Sequence, residues 1–243
     1  MDLTGERTIP GVPTESYWFA RHEVVYRWAA ERYALGRICG DIGSGEGFGT
    51  RLLLDAGAQS VFGIELDEGA ASHSATTYSA ANFIRANVVA LPIAAQSTDL
   101  LTSLQVIEHI WDVAAYLQEM HRVLRLGGRL VVSTPNRPVF SPGLERKSPP
   151  LNPFHVEEFD EEQVKLQLSD CGFKEVTMHG LHHGARIADW EDINGPIVAA
   201  MITAGATNSW PSSLHEFVTT ITANDFHIGD ATDAHDLIAV GIK

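Results

Sequence analysis

Cysteine is scarce. Cys39 and Cys171 are the two in 243 residues, too few for a disulfide framework, and neither has neighbours at metal-ligand spacing, so both read as small buried hydrophobes. Positive charge is equally thin: 17 Lys and Arg stand against 31 Asp and Glu, a formal net charge of −14. That balance argues against a phosphate backbone as partner, because nucleic-acid affinity rests on cations neutralising phosphates. Long apolar runs are missing as well. The longest, around Ile197 to Ala206, falls far short of the ~20 residues that span a bilayer, so no membrane partner is expected. Met1 to Arg7 contains no basic segment followed by an apolar stretch, which predicts no secretory signal and a cytoplasmic address. No repeat or low-complexity tract occurs.

What is present is a globular composition, 44% hydrophobic and 20% charged, in a length that favours a single domain over residues 1–243. Tyr17 to Tyr33 reads as an aromatic-rich helix, an N-terminal lid over 1–35. Strands and helices then alternate: strand Arg37–Ile42, helix Gly47–Asp55, strand Ser60–Glu65, helix Glu68–Ala81, strand Phe83–Asn87, strand Thr98–Gln105, a helix from Val113 to Leu124 capped by Gly127-Gly128, and strand Arg129–Thr134. Such alternation over a core of 36–135 predicts an α/β, Rossmann-like, doubly wound and mostly parallel sheet. The proline-rich stretch 136–159 reads as a loop near the acceptor, since proline removes backbone donors. Helix Asp160–Asp170, strand Phe173–Met178, a helical insertion over 184–224 and a last strand His235–Ile242 complete seven strands, the last antiparallel.

The turn after the first strand reads Asp41-Ile-Gly-Ser-Gly-Glu-Gly47. Its glycines let a backbone approach a ligand at the carboxyl end of the sheet. A dinucleotide fingerprint needs Gly-x-Gly-x-x-Gly, yet the third position falls on Phe48 counted from Gly43 and on Thr50 counted from Gly45. A nicotinamide oxidoreductase is thereby disfavoured. Asp41 and Glu46 would also repel a diphosphate, whereas they suit a cationic ligand.

Asp41-x-Gly43-x-Gly45-x-Gly47 resembles motif I of the class I S-adenosylmethionine (SAM)-dependent methyltransferases. The resemblance implies SAM as cofactor, held by Asp41, Gly43, Ser44, Gly45, Glu46 and Gly47. Glu65, with Asp67 as its neighbouring alternative, would bind both ribose hydroxyls beside Leu66, and Asn87 with Val88 would meet the adenine. Gln105-Val-Ile-Glu-His109 resembles motif IV, and Arg21 or His22 is a candidate for the methionine carboxylate. Gly127-Gly128 resembles the turn before the fifth strand, with Leu126 where the family has proline. Further stretches, Thr4 to Pro10, Tyr17-Trp-Phe, Gln105 to Asp112, Ser133 to Arg137, Asn152-Pro-Phe-His155 and Gly180 to Gly184, resemble the mycobacterial-type sugar O-methyltransferases of polymethylated polysaccharide synthesis. They imply a mannoside or glucoside hydroxyl as acceptor. A lipid, polyketide or other small-metabolite acceptor is the competing enzyme reading, and a SAM-binding regulatory protein without turnover is the non-catalytic one.

An alcohol acceptor needs a group to take or loosen its proton. His109 ranks first as base and His155 second, with Glu108 orienting. Tyr17, Trp18, Asn136, His182 and His183 are candidates for the acceptor, as are Trp190 and Trp210, since sugars are read by aromatic faces and planar polar groups. A divalent ion such as Mg2+ is a second cofactor candidate, on Glu108, Glu157 or Asp160 with a histidine, although no dedicated ligand spacing occurs. The aromatic N-terminal segment would also suit a homodimer contact.

Overall fold

The computed structural model describes residues 8–243, so the readings on Met1 to Arg7 and the start of the Thr4 to Pro10 stretch lie outside the described residues. The elements are α1 Ser16–Tyr33, β1 Ile38–Ile42, α2 Phe48–Asp55, β2 Ser60–Glu65, α3 Glu68–Thr77, β3 Asn82–Arg85, β4 Thr98–Leu104, α4 Val113–Val123, β5 Leu124–Pro135, the four-residue α5 Arg137–Phe140, α6 Glu161–Asp170, β6 Lys174–His183, α7 Ala185–Asn194, α8 Ile197–Thr207, α9 Ser212–Val218, β7 Phe226–Gly229 and β8 Asp236–Ile242. The sheet order is β3-β2-β1-β4-β5-β8-β6-β7. The first five strands in that order pair in parallel, while β8 is antiparallel to β5 and β6, and β7 to β6. The order in which strands are added to the sheet reverses between β1 and β4, and the crevice at such a switch point is where open α/β sheets hold ligands.

Both faces of the sheet are buried, which is why its strands read as continuous apolar runs. Along β5 and β8 the alternation is strict: Val131, Ile238 and Val240 join Cys39 and Leu100 on one face, and Leu130, Val132, Leu237 and Ala239 join Ile42 and Leu101 on the other. Helices α1, α2 and α7 to α9 cover the first face, and α4 with α6 the second. Each fully buried Leu, Ile or Val contributes about 1.5–3 kcal/mol. Aspartates start three helices: Asp67, Asp112 and Asp160 accept from Ala70, Ala115 and Gln163. Asp160 and Gln163 close a capping box.

Several expectations need correction. The sheet has eight strands, because four residues after the helical insertion, Phe226–Gly229, add an edge to β6. So short a strand shows no readable periodicity, and after the insertion no strand–helix alternation marks it. The expected helix Glu68–Ala81 stops at Thr77. Gly127-Gly128 does not cap α4. The helix ends at Val123 and Gly127, at φ +76°, lies inside β5, where its left-handed backbone absorbs the register shift that pairs Thr98 with Leu124 but Leu100 with Arg129. The expected strand Phe173–Met178 runs on to His183, so His182 and His183 are its last residues. Cys39 is buried as expected, whereas Cys171 is half-buried.

The N-terminal helix is a packed layer. Tyr17, Ala20, Val25, Tyr26, Trp28 and Ala29 are buried in the core, so Tyr17, Tyr26 and Trp28 face their own chain, while Trp18 and Phe19 stay half-buried. Arg21 lies on the same buried side: its Nε donates to Asp236 Oδ2 at 2.6 Å and its Nη2 to Asp236 Oδ1, with the two side chains 3% and 1% exposed. This pair ties α1 to the first residue of β8. Breaking a buried ion pair from one side leaves a lone charge in low dielectric, at a cost of about 3–5 kcal/mol. Arg21→Ala should therefore lower unfolding stability in urea by about that amount, and adding Asp236→Ala should restore part of it. A loss below about 1 kcal/mol, the range of surface pairs, would show that the pair does not anchor the helix.

Candidate functional site

The next-to-last residue of β1 is a carboxylate that solvent does not reach. Asp41 Oδ1 accepts from the hydroxyls of Tyr26 and Thr102, each at 2.9 Å, and Oδ2 from Thr50 at 2.8 Å. Burial pushes its pKa up to about 6, and the three hydroxyl donors pull it back. Asp41 is thus an anchor beneath the glycine loop, not part of its ligand-facing surface. Above it the backbone takes positive φ at Gly43, Gly45 and Gly47. A Cβ on Gly43 would stand 2.4 Å from Val106, and one on Gly47 2.9 Å from Ser74, so both positions exclude side chains. Ser44 Oγ is buried in the loop with no hydrogen-bond partner. Glu46 points aside: its carboxylate accepts from Tyr78 at 2.9 and 3.0 Å and meets His73 Nε2 at 3.1 Å.

Glu65, at the end of β2, reaches back under the loop. Its Oε2 accepts from Gly45 N–H and its Oε1 from Asp67 N–H, both at 2.9 Å, which fixes the plane of the carboxylate. Asp67 itself caps α3. Leu66 is 60% exposed beside it. Asn87 is exposed just past β3, its Oδ1 accepting from Val89 N–H at 3.1 Å, and Val88 is buried. The implied SAM fits this chemistry, an acidic strand end over a turn stripped of side chains, whereas a diphosphate does not.

At the end of β4 the backbone is strained. Gln105 takes φ +56°, a region non-glycine residues rarely adopt, and its N–H and Nε2 donate to Ser133 O and Oγ at 2.9 and 3.2 Å. The 3-10 turn Ile107–His109 follows. Glu108 is 1% exposed. Its Oε2 accepts from Thr134 at 3.1 Å while Oε1 has no partner. Burial pushes its pKa up to about 7 against the pull of His155 and Thr134. Glu108 O accepts from Val156 N–H at 2.7 Å and Glu157 N–H at 3.3 Å, binding the proline-rich loop to the turn. Loop and turn bring His155 against His109, ring centroids 5.0 Å apart. His155 Nδ1 meets Glu158 Oε1 at 2.7 Å, His155 Nε2 meets Asn152 Nδ2 at 3.0 Å, and His109 Nδ1 meets Phe154 O at 3.0 Å.

The oxygen set expected for Mg2+ is not assembled. Asp160 is spent on Arg137, Arg146 and its helix cap, and Glu157 accepts from Gln163 Nε2. What stands near Glu108 is two imidazoles, which do not fit a hard ion requiring oxygen ligands.

A third group lies where β6, β8 and α1 meet. Tyr17 OH and His183 Nε2 are 2.8 Å apart, His183 Nδ1 meets Glu191 Oε2 at 2.9 Å, and His235 stacks on His183 with centroids 3.6 Å apart. His182 turns to the opposite face, as successive strand residues must, and meets Asp230 O at 2.8 Å, so the two histidines do not act as a pair. Other expected residues serve the scaffold. Arg21 is engaged by Asp236 and not placed for a free carboxylate. Asn136 is buried, Nδ2 donating to Ala234 O at 2.7 Å. Trp190 stacks on Phe217, and it and Trp210 pack against the core. Trp18 stays half-buried beside Tyr17.

The sequence reading missed Tyr26, Thr50, Thr102, Thr134, Glu158, Glu191, His235 and Asp236. Thr102, a hydroxyl inside a buried strand and paired in register with Asp41, carried a readable signal; the others depend on which loops meet.

Residues 40–132 match the methyltransferase-domain family. The whole chain aligns at 40% identity with 90% of a probable S-adenosylmethionine-dependent methyltransferase of Mycobacterium tuberculosis, and at 38% with 95% of a relative similarly described from Mycolicibacterium smegmatis. Solved structures share the fold at low identity. A methyltransferase of Thermotoga maritima described as a possible histamine N-methyltransferase superposes with TM-score 0.62 at 16% identity over 93% of both chains, and one from Archaeoglobus fulgidus with TM-score 0.62 at 15% over 94% of this chain and 95% of that one.

His235 gives the site a pH signature. Burial lowers its pKa from near 6.5 to about 4, with the neighbouring His183 charge adding to the effect. The unfolded chain therefore binds the proton first, and this contribution to stability, complete above pH 6.5, is lost as pH falls through 4. Asp41, raised to about 6, works in the opposite direction over the same range, so the comparison must be differential. Between pH 7 and 4 the parent should lose on the order of 2 kcal/mol more than His235→Asn. Equal losses in urea titrations at both pH values would contradict the assignment.

Proposed function

This chain belongs to the class I SAM-dependent methyltransferases, and from that premise we propose that it methylates a hydroxyl of a saccharide, a mannoside or glucoside of the kind found in polymethylated polysaccharides. The observation that carries the proposal is the buried Glu108 carboxylate set against His109 and His155 at the end of β4. An alcohol is a poor nucleophile until its proton is loosened, and this cluster of acid-base groups at the rim supplies the place for that proton. Trp111, 89% exposed, and Phe154, 59% exposed, flank His109 in the turn and loop and offer the flat apolar faces against which sugar C–H groups stack. The stretches Gln105 to Asp112 and Asn152 to His155 are also among those that resemble sugar O-methyltransferases.

SAM, when bound, supplies an electrophilic methyl carbon whose bond to sulfur breaks with the electron pair leaving on sulfur. The residues proposed to hold it are Glu65 for the ribose hydroxyls, Asn87 and Val88 for the adenine, the Gly43 to Gly47 backbone for the amino-acid portion, and Gln105 below the methyl. Glu65 enters this role pre-oriented by its two backbone donors, so ligand binding need not order it. The remaining task is orientation. Trp18, backed by the buried Tyr17 ring, and the 136–159 loop are proposed to hold the acceptor oxygen in line, and alignment of this kind supplies several kcal/mol of the barrier reduction.

Two measurements test this reading. Glu65→Ala should weaken SAM by about 10²-fold in calorimetry, since it removes two charge-assisted hydrogen bonds, with the fold intact by circular dichroism. Incubation with SAM and a panel of short mannosides, glucosides, fatty acids and polyketide alcohols should yield S-adenosylhomocysteine and a product heavier by one methylene only with a saccharide. Methylation of a lipid with no saccharide turned over would overturn the acceptor assignment.

A further inference from the structure

We infer that Glu108, His109 and His155 form a binding site for one divalent first-row transition ion of the zinc class. One donor atom from each lies within 4.8 Å of the other two. A tetrahedral ion with bonds of about 2.0–2.1 Å holds its donors roughly 3.4 Å apart, so the triad needs to draw in by about an ångström or so. One carboxylate and two imidazoles are the donor set such ions prefer and Mg2+ does not.

Three features single this cluster out. Glu108 is 1% exposed, and while Oε2 is held by Thr134, Oε1 is buried with no hydrogen-bond partner. A buried carboxylate oxygen without a donor is costly, and a cation meets that need. Both imidazoles also carry the outer contacts typical of metal-bound histidines: His109 Nδ1 faces Phe154 O and His155 Nδ1 faces the Glu158 carboxylate, itself 1% exposed. Donation from Nδ1 in each ring fixes the tautomer that leaves the lone pair on Nε2. Finally, the Val156 and Glu157 amides bound to Glu108 O hold the two ligand-bearing segments together. Asn152 Nδ2 now donates to His155 Nε2, and the ion takes its place. The other cluster, His183, Glu191 and His235, lacks this arrangement: both Glu191 oxygens are already engaged, Oε1 by Ile197 N–H and Oε2 by His183, and the His183 ring is stacked on that of His235.

The inference deepens the proposed function, because an ion here lies where the acceptor loses its proton and would lower the pKa of a bound hydroxyl as a Lewis acid, the proton then passing to water because both imidazoles are ligands. Its test does not depend on the acceptor. Full-length protein, stripped by dialysis against chelator, is titrated with Zn2+ in calorimetry and with Co2+ in visible absorption. Uptake of one ion per chain is expected, with the intense d–d bands of a four- or five-coordinate nitrogen and oxygen site. His109→Ala and His155→Ala should each weaken uptake at least tenfold while SAM binding, read in the same calorimeter, stays unchanged and reports an intact fold. Asn152→Ala should bind at least as tightly as the parent. No uptake, or uptake unchanged in both histidine variants, would overturn the site. An ion bound as described with no saccharide methylated removes the acceptor reading alone; methylation by protein shown to be ion-free and indifferent to chelator removes the ion alone.

Discussion

The arrangement of the molecule depends on one buried carboxylate. Asp41 would be expensive in the interior without donors, and it receives hydroxyls from three separate elements, Tyr26 on α1, Thr50 on α2 and Thr102 on β4. Those bonds fix the helix that precedes the sheet, the helix that follows the glycine loop and the strand across the switch point against one pair of oxygens. The glycine loop inherits its position from that anchor. Gly49, one residue before Thr50, has no room for a Cβ because the Tyr26 ring occupies the space, so phenol, glycine and carboxylate depend on one another.

The parallel half of the sheet was legible because strand and helix alternate there at regular intervals, which places even the four-residue β3, and β2 was read with its observed bounds, Ser60–Glu65. The register of the glycines was informative for a similar reason, since local backbone geometry is encoded locally. Legibility failed where a residue's role depends on distant neighbours. Asp41 and Arg21 looked like ligand-facing charges, and both are internal struts whose partners come from elsewhere in the chain. Gly127 carried the positive φ expected of it but spends it on a bulge within β5, because the extra residues between Leu124 and Arg129 must be taken up before pairing with β4 resumes. The eighth strand was invisible because, unlike the equally short β3, its four residues follow a helical insertion and no strand–helix alternation marks them.

The site shows the same division. Glu65, Glu108, His109 and His155 were nameable from motif position. Their surroundings were not: Thr134 arrives from the neighbouring strand, Glu158 from the loop, and the contact between His183 and Glu191 from a helix in the insertion. These outer partners set protonation and orientation, so a list of motif residues alone understates what the site needs.

The two amides that Val156 and Glu157 lend to Glu108 O have an evolutionary consequence. A surface loop is ordinarily an interchangeable part, free to lengthen or be replaced while the scaffold stays unchanged. Here the loop's far end is stitched to the turn that carries motif IV, and its middle to the start of α6 through Arg146 with Asp160 and Glu162, so it is not an independently exchangeable part. A transplanted loop would therefore need to bring its own turn with it.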